Sequence, residues 1–371
     1  MVRKSPNKNA LAVIQKTVAA IYGEIQRQKA PSIKMPVRSL SNVSYDNKVG
    51  FFELGDEFKK RTLSVNTVKT FAQTLKMMSL SNDLVTNDDF ATKRDAYYQS
   101  KNWGDARFHE QPESDTVMDD IEALFAMEGL TREELRFVPD QHGGSVAGEL
   151  TVIDSDLESG EKITIDCTKF GSGAYAVPSS VEHLEFKTKA AFILCIETQG
   201  MFQRLQSHKY WKKSNSILVS MGGVPTRSCR RFVRRLSESA QIPVYAFTDC
   251  DPYGFANIYR TLKVGSGNAA HINQFFCVPK ARYLGLMPQD IELYDLKKAT
   301  HPLGDQDKKR ASDALKNDPF FQAHKPWQDA LQKMLKMGVR AEQQALSLHG
   351  LNFVIEDYLP RKLKNPDKFL P

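Results

Sequence analysis

The segment Val244-Tyr245-Ala246-Phe247-Thr248-Asp249-Cys250-Asp251-Pro252-Tyr253-Gly254 places an apolar strand directly before two carboxylates spaced i, i+2. Residues two apart on a strand project to the same side, so Asp249 and Asp251 leave it together, with Cys250 turned inward between them. Paired acids repel unless a cation sits between them, and a hard divalent ion with oxygen ligands is the usual one. The spacing alone also occurs in unrelated phosphotransferases and on solvated strand ends. A second apolar run, Ala191-Phe192-Ile193-Leu194-Cys195-Ile196, ends in Glu197. Two buried parallel strands that both finish in acid put three carboxylates at one sheet edge, where open α/β sheets bind ligands. Glu197, Asp249 and Asp251 are therefore the expected Mg2+ ligands.

With 371 residues and 41% hydrophobic content, the chain can fill two or three domain cores. Its 51 basic and 44 acidic residues leave a charge of +7, which suits a polyanionic partner. The five cysteines are widely spaced and form no C-x-x-C pair, which argues against a disulfide framework or a zinc site and for a reducing, cytoplasmic setting. The basic start Met1-Val2-Arg3-Lys4 is followed by an apolar stretch interrupted by Gln15 and Lys16, so no signal-peptide core is read. No run reaches the ~20 apolar residues of a membrane span.

Helical periodicity over residues 9–28 (Leu11, Ile14, Val18, Ile21, Tyr22, Ile25) predicts an amphipathic helix whose stripe packs on its own chain or docks to another subunit. Helices are expected over 64–78, 87–101 and 114–127, then a capping-box turn at Thr131-Arg132-Glu133-Glu134. Phe137-Val138-Pro139 with Gly143, Gly144 and Gly148 suggests a hairpin wing, so 65–148 reads as a winged helix. From 149 to 371 strands alternate with helices: 150–153 pairs with 162–166, while 192–197, 216–220 and 244–249 are buried. Residues 288–308 read as polar loop and 322–348 as helix. The fold class is thus α/β and α+β multidomain, with 1–64 an N-terminal extension.

The pairing of Ile196-Glu197-Thr198 with Asp249-Cys250-Asp251-Pro252-Tyr253-Gly254 resembles the Toprim domain, in the form found in the A subunit of DNA topoisomerase VI and its meiotic double-strand-break relatives. Lys93-Arg94-Asp95-Ala96-Tyr97-Tyr98 resembles that family's basic-Arg-Asp-x-Tyr-Tyr signature, and the Gly-x-Pro at Gly223-Val224-Pro225 and Gly285-Leu286 also fit. The resemblance implies that Tyr98 is the nucleophile, Arg94 an active-site arginine and Tyr97 a packing ring. On a helix Arg94 lies one turn from Tyr98 and Lys93 one turn from Tyr97, so each phenol has a cation beside it. A free phenol, with a pKa near ~10, needs such help to attack phosphorus. The family further implies transesterification to 5′ phosphates of double-stranded DNA, with one protomer's tyrosine working with the other's acids in a homodimer. An ATPase B subunit would complete an A2B2 heterotetramer and bind the ATP, and the N-terminal helix is its expected dock.

In a helix near 227–235, Arg227, Arg230, Arg231, Arg234 and Arg235 recur at i, i+3, i+4, i+7 and i+8, which reads as a phosphate-contacting face. Lys209, in the basic and aromatic cluster 208–213, is a weaker DNA contact. Gly265-Ser266-Gly267 lacks the Lys-Ser/Thr of a P-loop, so this chain is not expected to hydrolyse ATP. His142, His183, His208 and His271 show no ligand spacing. The rivals are a break-forming transesterase that does not reseal, a Toprim nuclease in which Tyr98 only packs, and a non-catalytic DNA-binding module.

Overall fold

The computed structural model describes residues 8–139, 143–156 and 159–371; Met1 to Lys4 and His142 lie outside them. The first unit is mainly helical, with an antiparallel strand pair Ser32–Pro36 and Phe58–Thr62 packed on it. α1 (Lys8–Gln26) buries Ala10, Val13, Ile14 and Ile21 and leaves Val18, Tyr22 and Ile25 exposed, so only part of its stripe is used within the chain. It packs on α2 (Val68–Asn87), which outruns the expected helix until Asp88 takes the left-handed conformation at φ 55°. α3 (Lys93–Gln99) is shorter than expected and passes into a 3-10 turn at Ser100–Asn102. α4 (Gln111–Ala126) closes the bundle, whose core includes Met77, Met78, Val85, Ala96, Phe108, Ile121 and Phe125.

Among the described residues the expected hairpin wing is not formed. Phe137–Val138 pairs in parallel with Ala91–Thr92 beside α3, and β1 (Ser145–Gly148) joins the large sheet of the next unit instead. The Thr131 capping interaction is present, Glu134 accepting from Thr131 N at 2.8 Å, but it closes a turn and no helix follows.

β2 (Leu150–Ser155) and β3 (Lys162–Asp166) pair antiparallel as expected. β4 (Tyr175–Ala176) pairs with β1, and β5 (Glu185–Thr188) completes a three-stranded sheet in the order β5-β2-β3. β6 (Phe192–Ile196), β7 (Ser216–Ser220) and β8 (Val244–Phe247) are the interior of a six-stranded sheet ordered β4-β1-β7-β6-β8-β9, where β9 is Arg282–Tyr283. Every residue of β6, β7 and β8 is buried, which is why these runs are near-continuously apolar, with serines only at the ends of β7, rather than alternating. β6 is parallel to both neighbours, and the register Ile196↔Phe247 and Ile196↔Ser220 aligns their carboxyl ends. α5 (Gln199–Ser207), α6 (Arg227–Ala240) and α7 (Ala270–Phe276) lie among these strands in sequence.

Beyond the sheet, the region read as loop contains a helix at Pro288–Leu293 and the start of α8 (Asp305–Asn317). The helix expected over 322–348 is α9 (Lys325–Met337), which stops because Gly338, at φ 68°, adopts a left-handed cap. The chain then forms β10 (Val339–Arg340), antiparallel to His301–Pro302, and a 3-10 stretch at Gln343–His349.

Candidate active site

α3 is built to present one ring. A reciprocal capping box starts it: Asp95 N donates to Thr92 Oγ1 at 3.1 Å and Thr92 N donates to Asp95 Oδ2 at 2.9 Å. Buried Ala96 turns the helix inward, and the two tyrosines that follow part company. Tyr97 is fastened, its hydroxyl donating to His109 O at 3.1 Å and its ring lying 4.1 Å from Lys101 Nζ. Tyr98 is 56% exposed, packs 5.3 Å from the Tyr97 ring and has the Arg94 guanidinium 5.9 Å from its own ring centre. The expected Arg94–Tyr98 pairing is therefore present. The expected Lys93–Tyr97 pairing is not: Lys93 Nζ is 2.7 Å from Asp119 Oδ1, a stronger partner than a ring face, and Lys101 supplies the cation.

The three acids stand at the carboxyl ends of β6 and β8. β8 stops at Phe247, so Asp249 and Asp251 occupy the loop beyond it rather than the strand itself. Glu197, Asp249 and Asp251 are 8%, 7% and 8% exposed. Each gives one oxygen to a backbone N–H: Glu197 Oε2 accepts from Asp249 N at 2.9 Å, Asp249 Oδ1 from Gln343 N at 2.8 Å, and Asp251 Oδ1 from Gly254 N at 2.5 Å. A Cβ on Gly254 would sit 2.8 Å from Asp249 O, so only glycine lets that N–H come so close. Cys250 is fully buried and makes reciprocal backbone bonds with Ala341, as its inward orientation requires.

Burial and mutual repulsion disfavour the ionised acids. Desolvation and the charges of Asp249 and Asp251 push Glu197 up to about 8. Desolvation and Asp251 push Asp249 up to about 7, and burial raises Asp251 as well. As they stand, no three His, Cys, Asp or Glu side chains among the described residues close around a single point as a metal cage would. The donor set nonetheless fits a hard divalent cation: three neighbouring carboxylates, each with one oxygen outside the backbone bonds above, in a pocket that penalises their unneutralised charge.

Sequence reasoning missed the C-terminal strap that completes this site. Gln343 donates through Nε2 to Phe247 O at 2.6 Å and accepts from Thr198 Oγ1 at 3.2 Å, joining the ends of β6 and β8. Arg340 Nη1 lies 3.6 Å from Asp251 Oδ2, and Glu342 adds a negative field on Glu197 and Asp249. Gly338 was the available signal, since a glycine after Lys336-Met337 marks a helix end.

The arginine row on α6 requires a correction. Arg227 is clasped by Glu122 at 2.5 Å and Glu133 at 3.0 Å, both from the helical unit, and stacks 4.4 Å from the Phe276 ring. Arg230 is buried; Arg231 is held by Glu182 at 2.7 Å and Phe275 O at 2.8 Å; Arg234 bonds Cys277 O at 2.8 Å and Glu238 at 2.6 Å; Arg235 bonds Leu184 O at 3.0 Å. The row is a docking face inside the chain, because α6 is covered by neighbouring elements on the side that a helical wheel leaves to solvent. Lys209 is exposed. His183 pairs with Asp154 at 3.1 Å, and buried His271 lies 3.6 Å from Glu122.

No hydrogen bond or ion pair among the described residues joins Tyr98 or Arg94 to the three acids. Tyr98 meets Arg94 and Tyr97, and α3 packs chiefly on α4.

Three family models match the chain: the Toprim domain of the topoisomerase 6 A subunit and Spo11 over 192–363, the all-beta domain in DNA topoisomerase VI alpha subunit over 140–190, and type IIB DNA topoisomerase over 69–136. The all-beta match corresponds to the β5-β2-β3 sheet and its surroundings, which the strand pattern alone does not separate from the acid-bearing unit. The chain is similar to the A subunit of type 2 DNA topoisomerase 6 from Methanocaldococcus jannaschii, at 49% identity over 370 residues, 100% of this chain and 98% of that one. It is similar to the A subunits of the same name from Methanothermobacter thermautotrophicus, 36% identical over 93% of this chain and 94% of that one, and Pyrococcus abyssi, 36% over 95% and 92%.

Proposed function

Because the chain belongs to the family of DNA topoisomerase VI A subunits, we propose that Tyr98 and the acids Glu197, Asp249 and Asp251 are the two halves of its DNA-cleaving centre. The protein is the DNA-cleaving subunit of a type IIB topoisomerase. The helical unit around α3 acts as its winged-helix-type DNA module, with the parallel pair beside α3 in place of a hairpin wing.

The Tyr98 oxygen attacks a backbone phosphorus, forming an O–P bond as the P–O3′ bond breaks. The phenolic proton leaves and the 3′ oxygen gains one, so the phosphate ends as a 5′ phosphotyrosine ester and resealing is the same exchange in reverse. Arg94, on the exposed face beside Tyr98, steadies the phenolate and grips the phosphate. Glu197, Asp249 and Asp251 would hold Mg2+, which supplies charge neutralisation at the phosphate. What favours a two-chain centre is that the freely exposed Tyr98 has no bond to the acids of its own chain. A homodimer, with each tyrosine presented to its partner's acids, cuts both strands of double-stranded DNA.

The exposed Val18, Tyr22 and Ile25 edge of α1, beside an apolar groove with Leu75 and Met78, is the dock for the ATP-binding B subunit in an A2B2 assembly. Lys209 remains a candidate phosphate contact, whereas the α6 arginines are spent inside the fold. Among the described residues no helix is long and apolar enough to cross a membrane, and a cytoplasmic, nucleoid-associated enzyme is the reading that suits work on DNA.

The deciding experiment incubates the chain and its ATPase partner with supercoiled DNA, Mg2+ and nucleotide, denatures the mixture and looks for protein on 5′ ends. The adduct should vanish in Tyr98→Phe and Asp249→Ala. Free 5′ phosphates, or cutting that survives Tyr98→Phe, would make the protein a nuclease.

A further inference from the structure

The three acids have one cationic side chain within ion-pair range among the described residues, and it arrives from the strap. Arg340 Nη1 is 3.6 Å from Asp251 Oδ2 and its Nε is 3.7 Å from Asp307 Oδ2. Both separations are too long for N–H···O hydrogen bonds, and Nε, although enclosed, has no hydrogen-bond partner. The backbone beneath it is firmly sewn: Arg340 pairs with His301, and the next residue exchanges bonds with Cys250 at 2.8 and 3.1 Å. The head is thus loosely held on a fixed base, about one third exposed at 35%.

Arginines with purely structural work look different in this molecule. Arg227 and Arg231 grip carboxylates with two nitrogens each, at 2.5 to 3.0 Å. Arg340 touches its acids by charge alone. On its far side Asp307 is also shared, 3.6 Å from Arg310 Nη1, and the Arg310 guanidinium lies 5.0 Å from the Tyr253 ring centre. A guanidinium fork matches two phosphate oxygens better than one carboxylate oxygen at this range.

We propose that Arg340 is a further catalytic residue of the cleavage reaction. It neutralises Asp251 while the acids are without a divalent cation. With the carboxylates engaged by such a cation, the guanidinium would be free to contact the non-bridging oxygens of the scissile phosphodiester. The proposal rests on the assignment of Glu197, Asp249 and Asp251 as the cation site. It predicts opposite effects of one substitution: metal binding strengthens because a competing positive charge is gone, and cleavage weakens because a phosphate contact is gone. Loss of a merely structural side chain would not separate the two.

The test uses the full chain with Arg340→Gln and Arg340→Lys. Mg2+ alone is titrated calorimetrically into the DNA-free protein at alkaline pH, where the acids are ionised, and adduct formation is timed with the ATPase partner at saturating Mg2+. Arg340→Gln should bind Mg2+ roughly fivefold or more tightly and form the 5′ adduct about tenfold or more slowly. Arg340→Lys keeps the charge and loses the fork, so its Mg2+ affinity should stay within about twofold of wild type while its cleavage slows; it carries the test if Arg340→Gln loses its circular dichroism spectrum. Unchanged Mg2+ affinity in Arg340→Gln overturns the sharing of Asp251, and an unchanged adduct rate overturns the phosphate contact. A fall in both affinity and rate makes Arg340 a support for the metal ligands and likewise overturns the proposal. Asp249→Ala serves as the separate control: Mg2+ binding that survives it sinks the cation-site assignment itself, and Arg340 with it.

Discussion

Glu197 and Asp249 keep their protons up to about pH 8 and 7 in the folded chain, against ordinary values of 4.5 and 3.8. Between those limits the folded state binds more protons than the unfolded state, so stability falls as pH rises, by up to about 1.4 kcal/mol per pH unit per group, and the loss is complete above pH 8. Scanning calorimetry of the metal-free protein should therefore show Tm falling from pH 5 to 8, and the slope should flatten in Glu197→Gln and Asp249→Asn. Added Mg2+ should raise Tm more at pH 8 than at pH 6; an equal rise at both would mean that the acids are not its ligands. Tyr98→Phe removes a hydroxyl from an exposed ring, so it should move stability by less than about 0.5 kcal/mol while eliminating the covalent adduct. At this scale the positions of the acids were most legible: Glu197, Asp249 and Asp251 follow directly on two apolar runs that do form buried strands, although the i, i+2 spacing by itself is shared with solvated strand ends. Arg340 and Gln343 were illegible because they reach the acids from about ninety positions away in sequence, about which periodicity carries no information.

Helix α6 shows why an element's surface cannot be read from its own residues. The five arginines do form one arc, as their spacing requires, but Glu122, Glu133 and Glu182 come from other elements to meet them. Arg227 is largely enclosed by this cluster, 15% exposed, and its charge holds Glu122 well below the ordinary carboxylate range despite burial. Removing one partner leaves the other as an uncompensated buried charge, so Arg227→Ala or Glu122→Ala should each cost about 3–5 kcal/mol in urea unfolding. The double variant should lose much less than the sum, and strict additivity would mean that the pair is not coupled. The helices of the first unit were foreseen, whereas Pro288–Leu293 and the start of α8 fell in a stretch read as loop, and helix ends were read less well because they depend on caps: Asp88 ends α2 only after Asn87 and Gly338 cuts α9 short. The wing failed for a tertiary reason. β1 finds a better partner in β7, in the large sheet, than in the short strand Phe137–Val138.

For the molecule as a whole, the proposed DNA-cleaving residues and the proposed partner dock are carried by different elements, Tyr98 by α3 and the exposed Val18, Tyr22 and Ile25 by α1. Replacing Val18, Tyr22 and Ile25 together by serine removes exposed apolar area but little internal packing. Such a variant should stay folded and dimeric in sedimentation, while a calorimetric titration with the ATPase partner loses at least roughly tenfold in affinity; undiminished binding would place the dock elsewhere. The Cys250–Ala341 bridge and the Gln343 bonds to Asp249 and Phe247 carry a consequence for synthesis. Tyr98 leaves the ribosome early and the acids follow, but the backbone N–H that orients Asp249 and the side chain that ties β6 to β8 emerge only with residue 343. A growing chain therefore carries the proposed nucleophile before the proposed cation site can be completed, and that site stays unfinished until residue 343 has emerged.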